Sequence, residues 1–130
     1  MIVDTSAIMA VLLQEPDADR FVDCLFENPD RKVSAGTWIE LSAVLTRQRD
    51  GGVAAAFDTL MQALRVQIVP VSIGQAEIGR TAYRTFGRGS DHPAKLNFGD
   101  CFAYALAKDT GEPLLFKGED FSQTDIRPAL

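Results

Sequence analysis

Met1-Ile2-Val3-Asp4-Thr5-Ser6-Ala7-Ile8-Met9-Ala10-Val11-Leu12-Leu13 opens the chain, and the reading of this stretch decides the fold. Met1-Ile2-Val3 has the apolar character of a short buried strand, and Asp4-Thr5-Ser6 can cap a helix running through Ile8, Val11 and Leu12. Strand passes straight into helix. Working outward, Pro16 ends that helix, and a second one over Asp17 to Glu27 carries Phe21, Cys24 and Leu25 on one side before Asn28-Pro29-Asp30 closes it. Lys32-Val33-Ser34 reads as the next strand. Thr37 is placed to cap a helix with Trp38, Leu41 and Leu45, which the Gly51-Gly52 pair breaks ahead of another marked by Val53, Phe57, Leu60 and Leu64.

Val66 to Val71 is predicted as a third strand, and Ser72 as the start of a helix whose Ala76, Gly79, Tyr83 and Phe86 share a face. A polar loop from Gly87 to Lys95, holding the lone His92, leads to Asn97. That residue can cap a sixth helix with Phe98, Cys101, Phe102 and Ala105 as its apolar stripe; Gly111 stops it, Pro113 to Phe116 makes a fourth strand, and Ile126 marks a weak fifth. Short strands alternating with helices imply one α/β domain over residues 1–130. Its expected core is a central parallel sheet of four to five short strands with helices on both faces, the doubly wound class.

Bulk properties narrow the function. With 130 residues, 46% of them hydrophobic, the chain builds one core. The longest apolar run, Ala7 to Leu13, is too short to cross a bilayer, and an acid at position 4 interrupts any secretory signal, so a cytoplasmic location and no membrane partner are expected. Two distant cysteines, Cys24 and Cys101, form neither a redox pair nor, with one histidine, a zinc site. A net charge of −5 argues against gripping nucleic acid by bulk positive charge. Acids gathered around a divalent ion remain compatible with a nuclease.

Four acids fall where open α/β sheets bind ligands, at the edge shared by strand C-termini and helix N-termini. Asp4 follows the first strand, Glu40 lies early in the third helix, Asp100 is in the first turn of the sixth, and Asp120 follows the fourth strand. Each also has a local explanation. Asp4 can be an N-cap, Thr37 and Glu40 fit a capping box, Asp100 stands three after Asn97, and Asp120 can cap a final turn. As a set they suit Mg²⁺, which favours carboxylate oxygen and water. Thr5 and Ser6 could orient the carboxylate of Asp4 from outside the metal shell. Ala103, Tyr104 and Ala107 share Asp100's helical face and leave room for a ligand, so Asp100 is not expected to be a buried core charge.

These residues resemble the PIN-domain family, and more closely its VapC-type toxins. The resemblance is carried by Ile2-Val3-Asp4-Thr5-Ser6-Ala7, by Glu40, by Leu96-Asn97-Phe98-Gly99-Asp100-Cys101-Phe102-Ala103-Tyr104-Ala105-Leu106-Ala107, and by Leu114-Leu115-Phe116-Lys117-Gly118-Glu119-Asp120-Phe121. It implies that Asp4, Glu40, Asp100 and Asp120 are catalytic and hold Mg²⁺ or Mn²⁺, with Thr5, Ser6 and Asn97 supporting them. It further implies endonucleolytic cutting of RNA to leave a 5′-phosphate, a VapB-type antitoxin and a symmetric homodimer. Where many relatives carry their fourth acid, this chain has Gly118. Glu119 therefore competes with Asp120, and Lys117 could instead contact phosphate.

Phosphodiester hydrolysis of this kind needs a water made nucleophilic and a neutralised leaving oxygen, both of which divalent ions supply. Asp4 and Asp100 are the expected direct ligands, Glu40 a ligand or water-orienting base, and Asp120 an outer ligand. Arg80, Arg84 and Arg88 recur every four residues as if on one helical face; with Lys95 they are either a solvated stripe or contacts to the RNA backbone. A receiver-like signalling domain has similar size but needs an aspartate closing its third strand, where Ile68-Val69-Pro70-Val71-Ser72 has none. A PIN-fold binding module without activity is the other alternative. A phosphatase with an aspartyl nucleophile would want an acid at position 6, which is Ser6.

Overall fold

The computed structural model describes residues 1–48 and 51–130. Four short strands, β1 (Ile2–Val3), β2 (Lys32–Ser34), β3 (Gln67–Val69) and β4 (Leu114–Leu115), form one sheet in the order β3-β2-β1-β4. All pairings are parallel. Ile2 stands opposite both Lys32 and Leu114, and Val33 opposite Ile68. The chain builds outward from β1 to β3 and then crosses back to the other side of β1, so the order reverses between β1 and β4. In open α/β sheets that reversal opens the crevice in which ligands bind.

Six helices cover the sheet: α1 (Thr5–Leu12), α2 (Ala18–Glu27), α3 (Ala35–Arg47), α4 (Gly51–Leu64), α5 (Ile73–Phe86) and α6 (Asp100–Thr110). Side chains alternate across a strand, so β1 and β4 each feed two cores. Val3, Val33 and Leu115 pack with Ile8, Leu25, Leu41 and Leu64 from the first four helices. Ile2 and Leu114 pack on the opposite face with Ala82, Leu96, Ala103 and Leu106. Among the described residues no helix is long and apolar enough to cross a membrane.

Several boundaries differ from those expected, each for a local reason. The first helix stops at Leu12, ahead of Pro16, because Gln14 takes a left-handed conformation at φ 50°. Thr37 does not cap α3. The helix leaves β2 without a linker, and Ser34 is the cap, its hydroxyl accepting from Gly36 N at 3.3 Å; Thr37 is fully buried inside the first turn. Gly51 and Gly52 start α4 rather than only ending α3. The fifth strand reduces to one bridge between Leu114 and Pro128.

The largest correction concerns α6. Ala103, Leu106 and Ala107 face the sheet at 0–2% exposure, while Phe98 is 74% exposed. Small side chains let the helix lie close to the strands, where phenylalanines would hold it away. Asp100 is carried inward with that close face and is buried, contrary to expectation. On α5 the buried residues are Gln75, Gly79 and Ala82, leaving Ala76 and Tyr83 exposed.

Leu41 is fully buried beside Glu40. Leu41→Ala is expected to cost about 2–5 kcal/mol, as cavity-forming core truncations do, read as a lowered urea midpoint with an unchanged slope. A loss below about 1 kcal/mol would mean that α3 is not anchored through this residue.

Candidate active site

Asp4 ends β1 at the point where the strand order reverses. Its backbone N–H donates to Leu115 O at 2.9 Å, fixing it to the end of β4. Its Oδ2 accepts from the N–H of Ser6 at 2.9 Å and from the Ser6 hydroxyl at 2.6 Å, so it caps α1. The other oxygen, Oδ1, is buried and has no hydrogen-bond partner. Burial pushes the carboxyl's pKa up, the Ser6 bonds pull it back, and the charge of Asp120 adds to the rise.

Glu40 projects from the second turn of α3 and does not form the capping box with Thr37. Its Oε2 accepts from the Thr5 hydroxyl at 2.8 Å, joining α3 to the start of α1. Burial raises its pKa, the Thr5 bond opposes that, and the charge of Asp4 raises it further. Behind it lies Gly99, where an added Cβ would collide with the Glu40 carboxylate. Glycine at this position is thus explained by close approach. The residue escaped sequence reasoning, although a glycine beside the acid that opens a helix is its visible trace.

Asp100 and Asn97 form a reciprocal pair. Asn97 Oδ1 accepts from Asp100 N at 3.0 Å, and Asp100 Oδ2 accepts from Asn97 N at 2.7 Å, the geometry of a capping box built from two short side chains. Asn97 is expected to cap the helix; the N-cap position is instead Gly99, which makes no side-chain bond, and Asn97 bonds the first helical N–H from two residues further out. Burial pushes the Asp100 pKa up to about 7 against the Asn97 bond, and Asp4, Glu40 and Asp120 all add repulsion. Asp120 itself is exposed, at the start of a single 3-10 turn over Phe121–Gln123, and caps nothing. Its charge raises the pKa of both Asp4 and Asp100, while Glu119 accepts from the Ser122 hydroxyl at 3.1 Å.

The fold therefore brings the four acids into one electrostatic neighbourhood. Among the described residues no three acid, histidine or cysteine side chains close around a single point as a finished metal cage. The donor set nevertheless fits a hard divalent cation: every candidate ligand is a carboxylate oxygen, and Asp4 Oδ1 is a buried acceptor without a donor.

The basic residues are dispersed. Arg80 and Arg84 lie on α5 beside a groove of about 500 Å³ also lined by Tyr83, Phe98 and Phe102. Arg88 falls two residues past the end of α5, so the three arginines do not share a helical face. Lys95 is exposed in the following loop, where His92 packs edge-on to Phe86. Lys117 is engaged by Glu15 and Asp17 and is not a free cation. No aspartate ends β3, which disposes of the receiver-like alternative.

Comparison with known proteins agrees with this architecture. The PIN domain model matches residues 1–127. Ribonuclease VapC28 of Mycobacterium tuberculosis is 49% identical over 130 residues, covering 100% of this chain and 98% of that protein. Ribonuclease VapC42 of the same organism is 46% identical over 99% of this chain and 98% of its own length, and VapC30 is 44% identical over 97% and 95%. Among solved structures, M. tuberculosis VapC20, described as a sarcin-ricin loop cleaving toxin, superposes with a TM-score of 0.73 at 18% identity, covering 96% of this chain and 95% of that one. A toxin-antitoxin complex from Klebsiella pneumoniae gives 0.66 at 18% identity, covering 93% and 89%, and FitAcB from Neisseria gonorrhoeae 0.68 at 19%, covering 98% and 94%.

Two measurements probe the site before any substrate is added. Gly99→Ala is expected to move only the end of the Glu40 side chain, leaving the thermal midpoint nearly unchanged while breaking the Thr5–Glu40 bond, visible as altered chemical shifts at Thr5. Unmoved shifts would refute the contact. Folding raises the Asp100 pKa from 3.8 to about 7, so the native state keeps a proton that the unfolded chain has released. Its contribution therefore falls as pH climbs through that window. In chelator, Asp100→Asn should gain stability over the parent protein as pH rises from about 4 to about 8, by on the order of a few kcal/mol. A difference constant with pH would contradict the repulsive site. By its domain, its full-length relatives and its fold, this chain belongs to the PIN-domain family, among the VapC ribonucleases.

Proposed function

We propose that this protein is a VapC-type toxin, a metal-dependent endoribonuclease in which Asp4, Glu40 and Asp100, with Asp120 at the rim, hold Mg²⁺ or in its place Mn²⁺. The observation that carries the reading is the buried, unpartnered Oδ1 of Asp4, in a region where Glu40, Asp100 and Asp120 add like charge. Mutual repulsion and burial both disfavour negative charge here, and a divalent cation would relieve both. When bound, the cation supplies activation of the attacking water and neutralises charge growing on the leaving oxygen.

The chain's own residues do the positioning. Ser6 fixes the Asp4 carboxylate by two bonds and leaves Oδ1 for a ligand. Thr5 holds Glu40 by one oxygen, and Glu40 serves as a ligand or as the base that orients the attacking water. Asn97 anchors Asp100 at the start of α6. Asp120, exposed and in electrostatic contact with the buried acids, serves as the outer ligand in preference to Glu119. Arg80, Arg84, Arg88 and Lys95 supply contacts to the RNA backbone, with affinity that weakens as salt rises.

Two protein partners complete the proposal. A VapB-type antitoxin silences the nuclease. A second copy of the chain forms a homodimer, a reading supported by large apolar side chains left in solvent, among them Ile39, Ile73 and Phe98.

Purified protein should cut total RNA in Mg²⁺ and stop in chelator. Asp4→Asn and Asp100→Asn, folded by circular dichroism, should each lose on the order of a hundredfold or more, beyond the ~10–100-fold typical of residues behind the ligands. Cutting at the parental rate by both variants would reject the assigned site.

A further inference from the structure

The segment after β4 carries a cation that the cleavage chemistry does not use. The Lys117 ammonium pairs with Glu15 and Asp17, the two acids flanking Pro16 in the turn between α1 and α2. Asp17 occupies the N-cap position of α2 yet makes no capping bond. Its carboxylate is given to Lys117 instead, which holds its pKa below the ordinary range.

The same residue reaches the acidic site through its backbone. Lys117 N–H donates to Ser6 Oγ at 3.0 Å. A hydroxyl oxygen that accepts there keeps its own proton to donate, and Ser6 donates it to Asp4 Oδ2 at 2.6 Å. The main chain at Lys117 thus helps fix the position of the Ser6 hydroxyl, whose proton goes to the acceptor-only carboxylate of Asp4. Gly118 follows at φ 103°, a conformation open to glycine, and turns the chain into the segment that presents Asp120.

We propose that the clasp of Glu15, Lys117 and Asp17 is a positioning device for the acidic site: it ties the segment after β4 to the α1–α2 turn, holds the Ser6 hydroxyl in place against Asp4, and restrains the stretch that carries Asp120. This inference rests on the acidic-site reading above. A single exposed ion pair would restrain little, but here one ammonium is shared by two carboxylates across a fold boundary. Two negative charges against one positive leave the clasp net negative, which repels a phosphate backbone. Lys117 is therefore a positioning residue and not a phosphate contact.

Three variants test this. Lys117→Met removes the cation, Glu15→Gln combined with Asp17→Asn removes the acids and leaves Lys117 charged, and Lys117→Arg keeps a cation for both carboxylates. Amide hydrogen exchange of the metal-free protein reads the segment directly, Mn²⁺ binding followed by electron paramagnetic resonance reads the acids, and RNA cleavage separates kcat from KM. Lys117→Met and the double variant should behave alike. Each should show exchange at the Lys117 amide faster by about tenfold, Mn²⁺ bound about tenfold more weakly, and kcat lowered at unchanged KM; Lys117→Arg should restore all three. Exchange unchanged in Lys117→Met would overturn the clasp. So would a double variant that cleaves at least as well as the parent while Lys117→Met is impaired, since that pattern belongs to a direct RNA contact. Asp4→Asn run alongside tells two failures apart: persistent cleavage there defeats the acidic-site reading, whereas unchanged exchange defeats the clasp alone.

Discussion

A carboxylate buried at the end of a central parallel strand, with one oxygen hydrogen-bonded and the other left bare, is the constraint around which this molecule is arranged. Taking an ionised group out of water is costly unless it is paired, and Ser6 compensates only half of Asp4. Among the described residues no ion pair with a basic side chain meets the remainder. Instead the fold adds Glu40 from α3 and Asp100 from α6, each partly buried and each pushed toward its protonated form. A structure selected for stability alone would place a lysine or arginine here. The concentration of like charge is intelligible as a site whose missing partner is a cation supplied from solution.

Bringing these acids together is a matter of packing. Asp100 reaches the site because α6 lies close against β1 and β4 through Ala103, Leu106 and Ala107. Glu40 reaches it because α3 begins at Ser34 with no linker, so the second turn of the helix overlooks the end of β1. The two meet at Gly99, whose missing side chain is filled by the Glu40 carboxylate. Phe98, exposed just ahead of α6, is in edge contact with half-buried Phe102, whose ring packs over Gly36 at the start of α3.

Element order, the parallel sheet and the positions of the four acids were legible in the sequence because they rest on local signals: apolar runs of strand length, cap residues, and acids just beyond them. The Asn97–Asp100 bonds could be anticipated from spacing alone. What could not be read was the choice between two apolar faces on α6, since phenylalanines outweigh alanines in any hydrophobicity count and only the distance of the helix from the sheet decides between them. The same limit applies to Thr37. It and Ser34 are both good caps, and the choice depended on β2 running directly into α3. Lys117 looked like a free phosphate ligand because its partners, Glu15 and Asp17, lie about a hundred residues away in the chain.

The energetics of the site also bear on how such a protein is held in its active form. Anything that binds the folded state and not the unfolded one adds to stability in proportion to the logarithm of its concentration over its dissociation constant. A divalent ion among Asp4, Glu40 and Asp100 would do so while removing the repulsion that burial imposes, so ligand binding and folding draw on the same interaction. A cation bound there would relieve a repulsion that folding imposes. The acids meet at the edge shared by β1, α6 and the segment after β4, where like charge opposes their approach. Holding that edge closed requires contacts outside the acids themselves. Hydroxyls from Thr5 and Ser6, the Asn97 amide and the main chain at Lys117 meet that requirement, because each bonds an acid or its immediate support.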